Sequence, residues 1–104
     1  MSGANPVRGE ASFEVGGAAL LLRPSFAALV AAEQELGPLF ALVERAADGR
    51  LGVGEMASLF FHCAAELPDG VTRDRIGQAI AEGGLASATP ALRVLLTQIL
   101  QGRV

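Results

Sequence analysis

The sequence RGEASFEVGGAALLLR, residues 8–23, has the pattern of a β-hairpin, because two alternating apolar segments flank a central pair of glycines. Gly16 and Gly17 suit a type I′ turn, in which both central residues need a positive φ. A lone hairpin is marginally stable in water, so its apolar face is predicted to pack on the helices that follow. The predicted cross-strand pairs are Val15–Ala18, Phe13–Leu20 and Ala11–Leu22 on the apolar face, and Glu10–Arg23 on the opposite face.

The rest of the sequence predicts helices, because apolar residues recur at the helical period and Gly or Pro residues separate the segments. Ser25 and Thr72 are expected N-caps, and Gly37-Pro38 ends one helix and begins the next. The predicted helices cover residues 25–36, 38–47, 54–67, 73–82 and, opening at Thr89-Pro90, about 90–101. The inward stripes are expected to consist of Phe26, Leu29, Val30 and Leu36 in the first helix, and of Met56, Leu59, Phe60, Cys63 and Leu67 in the third.

These elements predict an α+β fold, mostly α, with an N-terminal β-hairpin packed on about five short helices. We expect a flexible lead over residues 1–7, followed by a single domain over residues 8–104. Within that domain the hairpin covers residues 9–23 and the helical part covers residues 25–101. A chain of 104 residues is long enough for one core without disulfides.

The composition disfavours several kinds of partner and chemistry. The net charge is −3 and the sequence contains neither Trp nor Tyr, so nucleic acid, which needs a basic face and stacking platforms, is not an expected partner. No apolar run approaches about 18 residues and no signal sequence is evident, so a membrane is not expected either. The single cysteine excludes an internal disulfide and is typical of a reducing compartment. We therefore expect a cytoplasmic protein.

Residues 47–61, ADGRLGVGEMASLFF, resemble the second half of a calcium-binding EF-hand loop. Asp48 and Glu55 lie where such a loop has an acidic ligand and its final glutamate. Positions three and nine of the loop, however, would be Ala46 and Gly52, which provide no side-chain oxygen. The sequence therefore predicts a turn between two helices and no metal site.

Two further motifs lack the surroundings that their chemistry needs. Residues 52–57, GVGEMA, match the dinucleotide pattern G-x-G-x-x-A, but the preceding segment is predicted to be helical, whereas that motif follows a strand. His62 and Cys63 are adjacent on a predicted helix and point about 100° apart, so they form neither a base–nucleophile pair nor a metal site. We expect no catalytic residues, no cofactor and no enzymatic activity.

Apolar surface is the feature that remains. The predicted helices 38–47 and 54–67 carry more apolar residues than one inward stripe uses. One interpretation is a thick core in an α-rich domain, and the other is a groove for a partner helix. The apolar residues of these two helices that are in excess of one stripe are Leu39, Phe40, Leu42, Val43, Leu59, Phe60 and Phe61. The candidate partner-binding residues are Leu39, Phe40, Val43 and Phe61.

The stretch LLRPSFAALVAAEQELG, residues 21–37, follows the hairpin and resembles the signature of a small phage protein family. Its distinctive part is the segment LRPSF, residues 22–26, followed by Leu29 and by Glu35-Leu36-Gly37. The chain is similar over residues 8–101 to tail-assembly-chaperone-like proteins of gene transfer agents and related siphophage-type prophages.

This resemblance implies a role in tail morphogenesis. Tail assembly chaperones are thought to coat the tape-measure protein, keep its apolar helical segments soluble, and leave as tube subunits polymerise. The expected partners are therefore the tape-measure protein or other tail proteins, and a homo-oligomer is possible. One alternative is a structural minor tail or tail tube component, although a ring-forming subunit should contain more strands than one hairpin. The other alternative is a small helical protein-interaction or regulatory domain.

Overall fold

The structure is a computed structural model that describes residues 9–102. This part of the chain contains two strands and five helices, so the predicted class, α+β and mostly α with an N-terminal hairpin, is confirmed. The predicted lead over residues 1–7 lies outside the described residues. The elements are β1 (Ala11–Val15), β2 (Ala18–Leu22), α1 (Phe26–Leu36), α2 (Leu39–Ala47), α3 (Val53–Cys63), α4 (Arg73–Gly83) and α5 (Leu85–Gln101).

The hairpin has the turn and register that its sequence predicts. Gly16 and Gly17 both have positive φ, 57° and 85°, and β1 pairs antiparallel with β2 with Phe13 opposite Leu20. On the opposite face Arg23 Nε donates a hydrogen bond of 2.8 Å to the Glu10 carboxylate. The glycine pair, the alternation of apolar residues and the charge pair therefore specify one register between them.

The segment after α3 runs along the outer edge of β2, which the sequence did not reveal. Ala64 forms an isolated antiparallel bridge with Leu22, and the Ala65 N–H donates to the Leu21 carbonyl at 2.9 Å. The prediction that this helix continues to residue 67 was therefore wrong, because the chain leaves the helix at Cys63 to satisfy an open strand edge. Leu67, expected in the core, is exposed.

The hairpin packs its apolar face against the helices. Phe13 is 8% exposed, and its ring centroid lies 5.3 Å from that of Phe60 on α3, with the two rings tilted by 59°. β1 also contacts α4 and α5. The largest of the fully buried side chains are Phe60, Leu20, Leu22, Leu42, Leu59, Ile76, Ile80, Leu95 and Cys63.

Helix α1 is rotated away from the orientation expected from its sequence. Its one fully buried residue is Ala32, whereas Phe26 is 85% exposed and Val30 is 38% exposed. The expected inward stripe is thus partly turned to solvent. Two contacts explain the rotation: small residues of α1 pack on α3, and Glu35 reaches polar side chains of α3 and α4.

Helix α5 begins earlier than predicted. Gly84 has a φ of 87°, which lets the chain turn after α4 and start the next helix at Leu85. Pro90 therefore lies inside α5 instead of opening it. Pro90 supplies no backbone N–H to the helix, and the hydroxyl of the preceding Thr89 donates at 3.3 Å to the Leu85 carbonyl.

Helices α1 and α2 meet at a sharp corner formed by Gly37 and Pro38. Among the described residues, no single helix is long and apolar enough to cross a membrane. As a pair, α1 and α2 are long and apolar enough to span a membrane, by length and composition only. The two helices are bent by 75° at the break between them.

Candidate functional site

An apolar groove opens between α1, α2 and α5, and we refer to it as the α1–α2–α5 groove. It encloses about 280 Å³. Phe40, which is 75% exposed, and Leu100, which is 51% exposed, stand at its open side. Glu33 is the one charged residue in the lining. The lining consists of Leu29, Glu33, Pro38, Leu39, Phe40, Val43, Ile99 and Leu100.

The α1–α2 corner positions one wall of this groove. Gly37 has a φ of 88°, and its N–H donates at 2.9 Å to the Glu33 carbonyl, which closes α1. Pro38 stands at the N-cap of α2 and supplies no side-chain hydrogen bond. The Glu33 carboxylate takes that role, because its Oε2 accepts from the Leu39 N–H at 3.1 Å. One residue therefore ties the end of α1 to the start of α2.

The apolar surface continues from the groove along α1. Phe26, Leu29, Val30 and Glu33 are spaced as i, i+3, i+4 and i+7, so they lie on one side of the helix. Leu29 lines the groove, while Phe26 and Val30 extend its face into solvent. The exposed apolar surface therefore extends beyond the groove along α1.

The structure brings together three of the four residues that the sequence singled out for partner binding. Leu39, Phe40 and Val43 all line the groove. Phe61 does not line it: the ring is half-buried against the core, and the Arg73 guanidinium carbon lies 4.7 Å from the ring centroid. We had expected α3 to form the second wall of the groove. Helix α3 packs on α1 and α4 instead, and the groove is completed by α5.

The sequence did not identify the α1 and α5 residues of the groove. Leu29, Ile99 and Leu100 occupy periodic apolar positions, which by themselves predict a core-facing stripe. No local signal indicates that the C-terminal turn of α5 lies beside the α1–α2 corner, since these segments are about 60 residues apart in sequence and meet only in the tertiary fold.

A polar cluster lies on the other side of α1, around Glu35. Ser58 Oγ donates to Glu35 Oε2 at 3.0 Å, His62 Nε2 lies 2.6 Å from Oε1, and Arg73 forms an ion pair with the same carboxylate. The contacts with His62, Ser58 and Arg73 hold the pKa of the Glu35 carboxyl below its ordinary value. Ser58 is bonded to the carboxylate and to Arg73 rather than to His62, so the cluster is not arranged as a nucleophile and its base.

The EF-hand-like turn is held by contacts within the protein. Asp48 pairs with Arg50 at 3.0 Å, and Gly49 has a φ of 72°. Glu55 accepts from the Gly52 N–H at 3.1 Å and pairs with Arg45. Together, the Gly52 N–H and then Arg45 lower the pKa of the Glu55 carboxyl. Within residues 9–102, no group of three acidic, His or Cys side chains is placed to hold a metal ion.

The other two motifs are structural features of α3. Helix α2 precedes residues 52–57, so the dinucleotide-like pattern lacks the preceding strand of a βαβ unit. The Cys63 thiol is fully buried, and burial raises its pKa to about 12. Such a thiol is a small core side chain.

The fold and the groove define a class: a small α+β protein, mostly α, that presents an apolar surface between helices. Comparison with known families then identifies the group. A family model described as phage tail tube protein, GTA-gp10, matches residues 8–102, so the chain belongs to this family of phage tail proteins. The family is a structural one and not an enzymatic one. No curated protein matches the chain, and no solved structure matches it either.

Proposed function

We propose that this protein is a tail assembly chaperone that binds apolar helical segments of the tape-measure protein in the α1–α2–α5 groove. The observation that carries the proposal is the exposed, apolar groove on a mostly helical member of a phage tail family. Phe40 is the expected anchor, because at 75% exposed it has more surface to bury against a partner than Leu100, the other exposed large apolar side chain in the groove lining.

Such a chaperone is needed because a long apolar helix must stay soluble before assembly. Exposed apolar segments aggregate at cellular concentrations unless another surface covers them. In a common mode of binding, an amphipathic helix lies in an apolar groove and contacts it through side chains spaced at i, i+3, i+4 and i+7. Such a groove can release its helix again when tube subunits replace it.

A structural tail component is the second candidate. Two observations favour it: the description of the family as a tail tube protein, and the outer edge of β1. In the observed register the backbone groups of Ser12 and Glu14 point away from β2. Within residues 9–102 these groups have no backbone partner, so the edge is available for strand pairing between copies.

Co-expression with the tail proteins encoded nearby, followed by pull-down, tests the proposal. The expected result is that the wild-type protein copurifies with the tape-measure protein and that Phe40→Asp reduces this recovery at least tenfold. Because Phe40 is exposed, the variant should change the free energy of unfolding by no more than about 0.5 kcal/mol. The matched control is Leu85→Asp, which replaces another exposed apolar residue. Leu85 begins α5, about 14 positions before Ile99 of the groove.

Two outcomes would count against the proposal. Full recovery of the tape-measure protein by a folded Phe40→Asp variant would mean that the groove is not the binding surface. Recovery of this protein as a stoichiometric part of finished particles, without binding to free tape-measure protein, would instead support the structural role.

A further inference from the structure

Within residues 9–102, no basic side chain pairs with the negative charge on the α1–α2 side of the groove. Glu33 lines the groove, and Glu44 is exposed one helical turn after Phe40 on α2. Neither carboxylate forms an ion pair within residues 9–102. Both charges therefore lie beside the apolar surface and face solvent.

The arginines of the three groove helices do not offset this charge at the corner. Arg45, on α2, is paired with Glu55, and at about 100° per residue it lies far around the helix from Phe40. Arg93 is exposed on α5, about two helical turns before Leu100. The end of the groove nearest the α1–α2 corner is thus apolar with an acidic border.

We propose that the groove selects a helix that carries Arg or Lys beside its apolar anchors, and this inference rests on the proposed helix-binding function. Charge complementarity carries it: a basic residue next to an apolar anchor would meet Glu33 or Glu44 when the anchor enters the groove. The size of the groove agrees with this occupant. A volume of about 280 Å³ lies at the lower end of the usual range for ligand sites, roughly 300–1,000 Å³, and is large enough for a few side chains.

The charge contribution should be modest and sensitive to salt. An exposed ion pair stabilises by about 0.2–1 kcal/mol, so two pairs correspond to roughly a two- to thirtyfold preference. The Debye length falls from roughly 14 Å at about 0.05 M salt to about 4 Å at 0.5 M, so high salt should remove most of the preference.

Two synthetic amphipathic peptides provide the probes for this test. Both peptides carry leucines at i, i+3, i+4 and i+7, and the residues that flank the leucines are Arg in one and Glu in the other. Binding of each peptide to the full-length protein is measured by fluorescence anisotropy at low and high salt. The Arg peptide should bind about two- to thirtyfold more tightly at low salt, and the difference should largely disappear at high salt.

The double variant Glu33→Gln with Glu44→Gln should remove the same preference. Glutamine at position 33 keeps an oxygen that can accept from the Leu39 N–H, so the cap of α2 is preserved while the charge is lost. The matched control is Glu14→Gln with Glu66→Gln, which makes the same change in net charge at exposed positions away from the groove.

The outcomes separate this inference from the proposed function. Equal binding of both peptides, abolished by Phe40→Asp, would overturn the charge preference and leave the groove in place. A preference that persists in the Glu33 and Glu44 double variant would also overturn it, because net charge alone would then explain the result. Binding of neither peptide, with the tape-measure protein still captured through Phe40, would overturn the inferred partner chemistry only.

Discussion

Phe13→Ala tests whether the hairpin is held on the helices by the contact that the structure shows. Phe13 is 8% exposed, and its ring packs at 5.3 Å on that of Phe60, which is fully buried. Deleting a buried Phe side chain costs about 3–5 kcal/mol, of which an aromatic pair accounts for roughly 0.5–1.5 kcal/mol. We expect a loss of about 3 kcal/mol, because a hairpin at the edge of the core can shift towards the vacated volume more easily than a central helix can.

Urea denaturation followed by circular dichroism at 222 nm measures this loss. A chain of this length typically has a free energy of unfolding of about 5–15 kcal/mol, so the variant should remain folded at room temperature. Its melting temperature should fall by roughly 12–24 °C, since each kcal/mol corresponds to about 4–8 °C for a domain of this size. The m-value should stay unchanged if the two states expose the same surface.

The control is Ser12→Ala, an exposed position on the same strand, which should stay within about 0.5 kcal/mol of the wild type. A loss below about 0.5 kcal/mol for Phe13→Ala would refute the reasoning, because removing a buried ring lowers the free energy of unfolding by much more than this. It would mean that the hairpin is solvated. A double-mutant cycle with Phe60→Leu should give a coupling energy of about 0.5–1.5 kcal/mol.

Three further predictions follow from the polar contacts and the buried thiol. The pKa values of Glu35 and Glu55 are lowered in the folded state, so both carboxylates stabilise the fold when the pH is above the ordinary carboxyl pKa. This stabilisation should be lost as the pH falls through that value towards the folded-state pKa. Urea midpoints should therefore decrease between about pH 6 and pH 3, and the decrease should be less steep for Glu35→Gln. Glu33→Ala should lower the free energy of unfolding by about 1 kcal/mol through loss of the α2 cap, whereas Glu33→Gln should lose less than half of this; equal losses would show that the cap is not the cause. Cys63, with its pKa raised to about 12, should not react with a thiol reagent at pH 8 until urea unfolds the protein, and rapid labelling of the native state would contradict its burial.

The elements that the sequence predicted well are those specified by neighbouring residues. Ser25 Oγ accepts from the Ala28 N–H at 3.2 Å, and Thr72 Oγ1 accepts from the Arg75 N–H at 3.2 Å, so both expected N-caps are confirmed. Capping and turn formation depend on residues that are within four positions of each other. A single sequence therefore contains all the information that these features need.

The features that the sequence did not predict depend on distant contacts. Helix α1 has apolar residues on most of its circumference, so periodicity alone does not determine which face is buried. Its rotation is set by Glu35, which contacts residues 23 to 38 positions away on α3 and α4. The early end of α3 has a similar cause, since the bridge between Leu22 and Ala64 joins segments that are far apart in the chain.

The same reasoning explains which part of the candidate site was predictable. Leu39, Phe40 and Val43 belong to one helix, where an excess of apolar residues is visible in the sequence, and they lie together in the groove. Phe61 lies outside the groove, and Arg73 of α4 covers its ring, a contact that the sequence did not reveal. An excess of apolar residues in a sequence segment identifies an apolar helix. The packing of the other helices determines which of those residues remain accessible.

The orientation of α1 links the polar cluster around Glu35 to the proposed binding surface. Glu35 and Glu33 are two positions apart, which places them about 200° apart around the helix. When Ser58, His62 and Arg73 hold Glu35 on the side of α1 that faces α3 and α4, Glu33 points to the opposite side, where it lines the groove and caps α2. The same rotation turns Phe26 and Val30 outwards. The contacts of Glu35 on one side of α1 thus contribute both to the apolar extent of the groove and to the position of its acidic border.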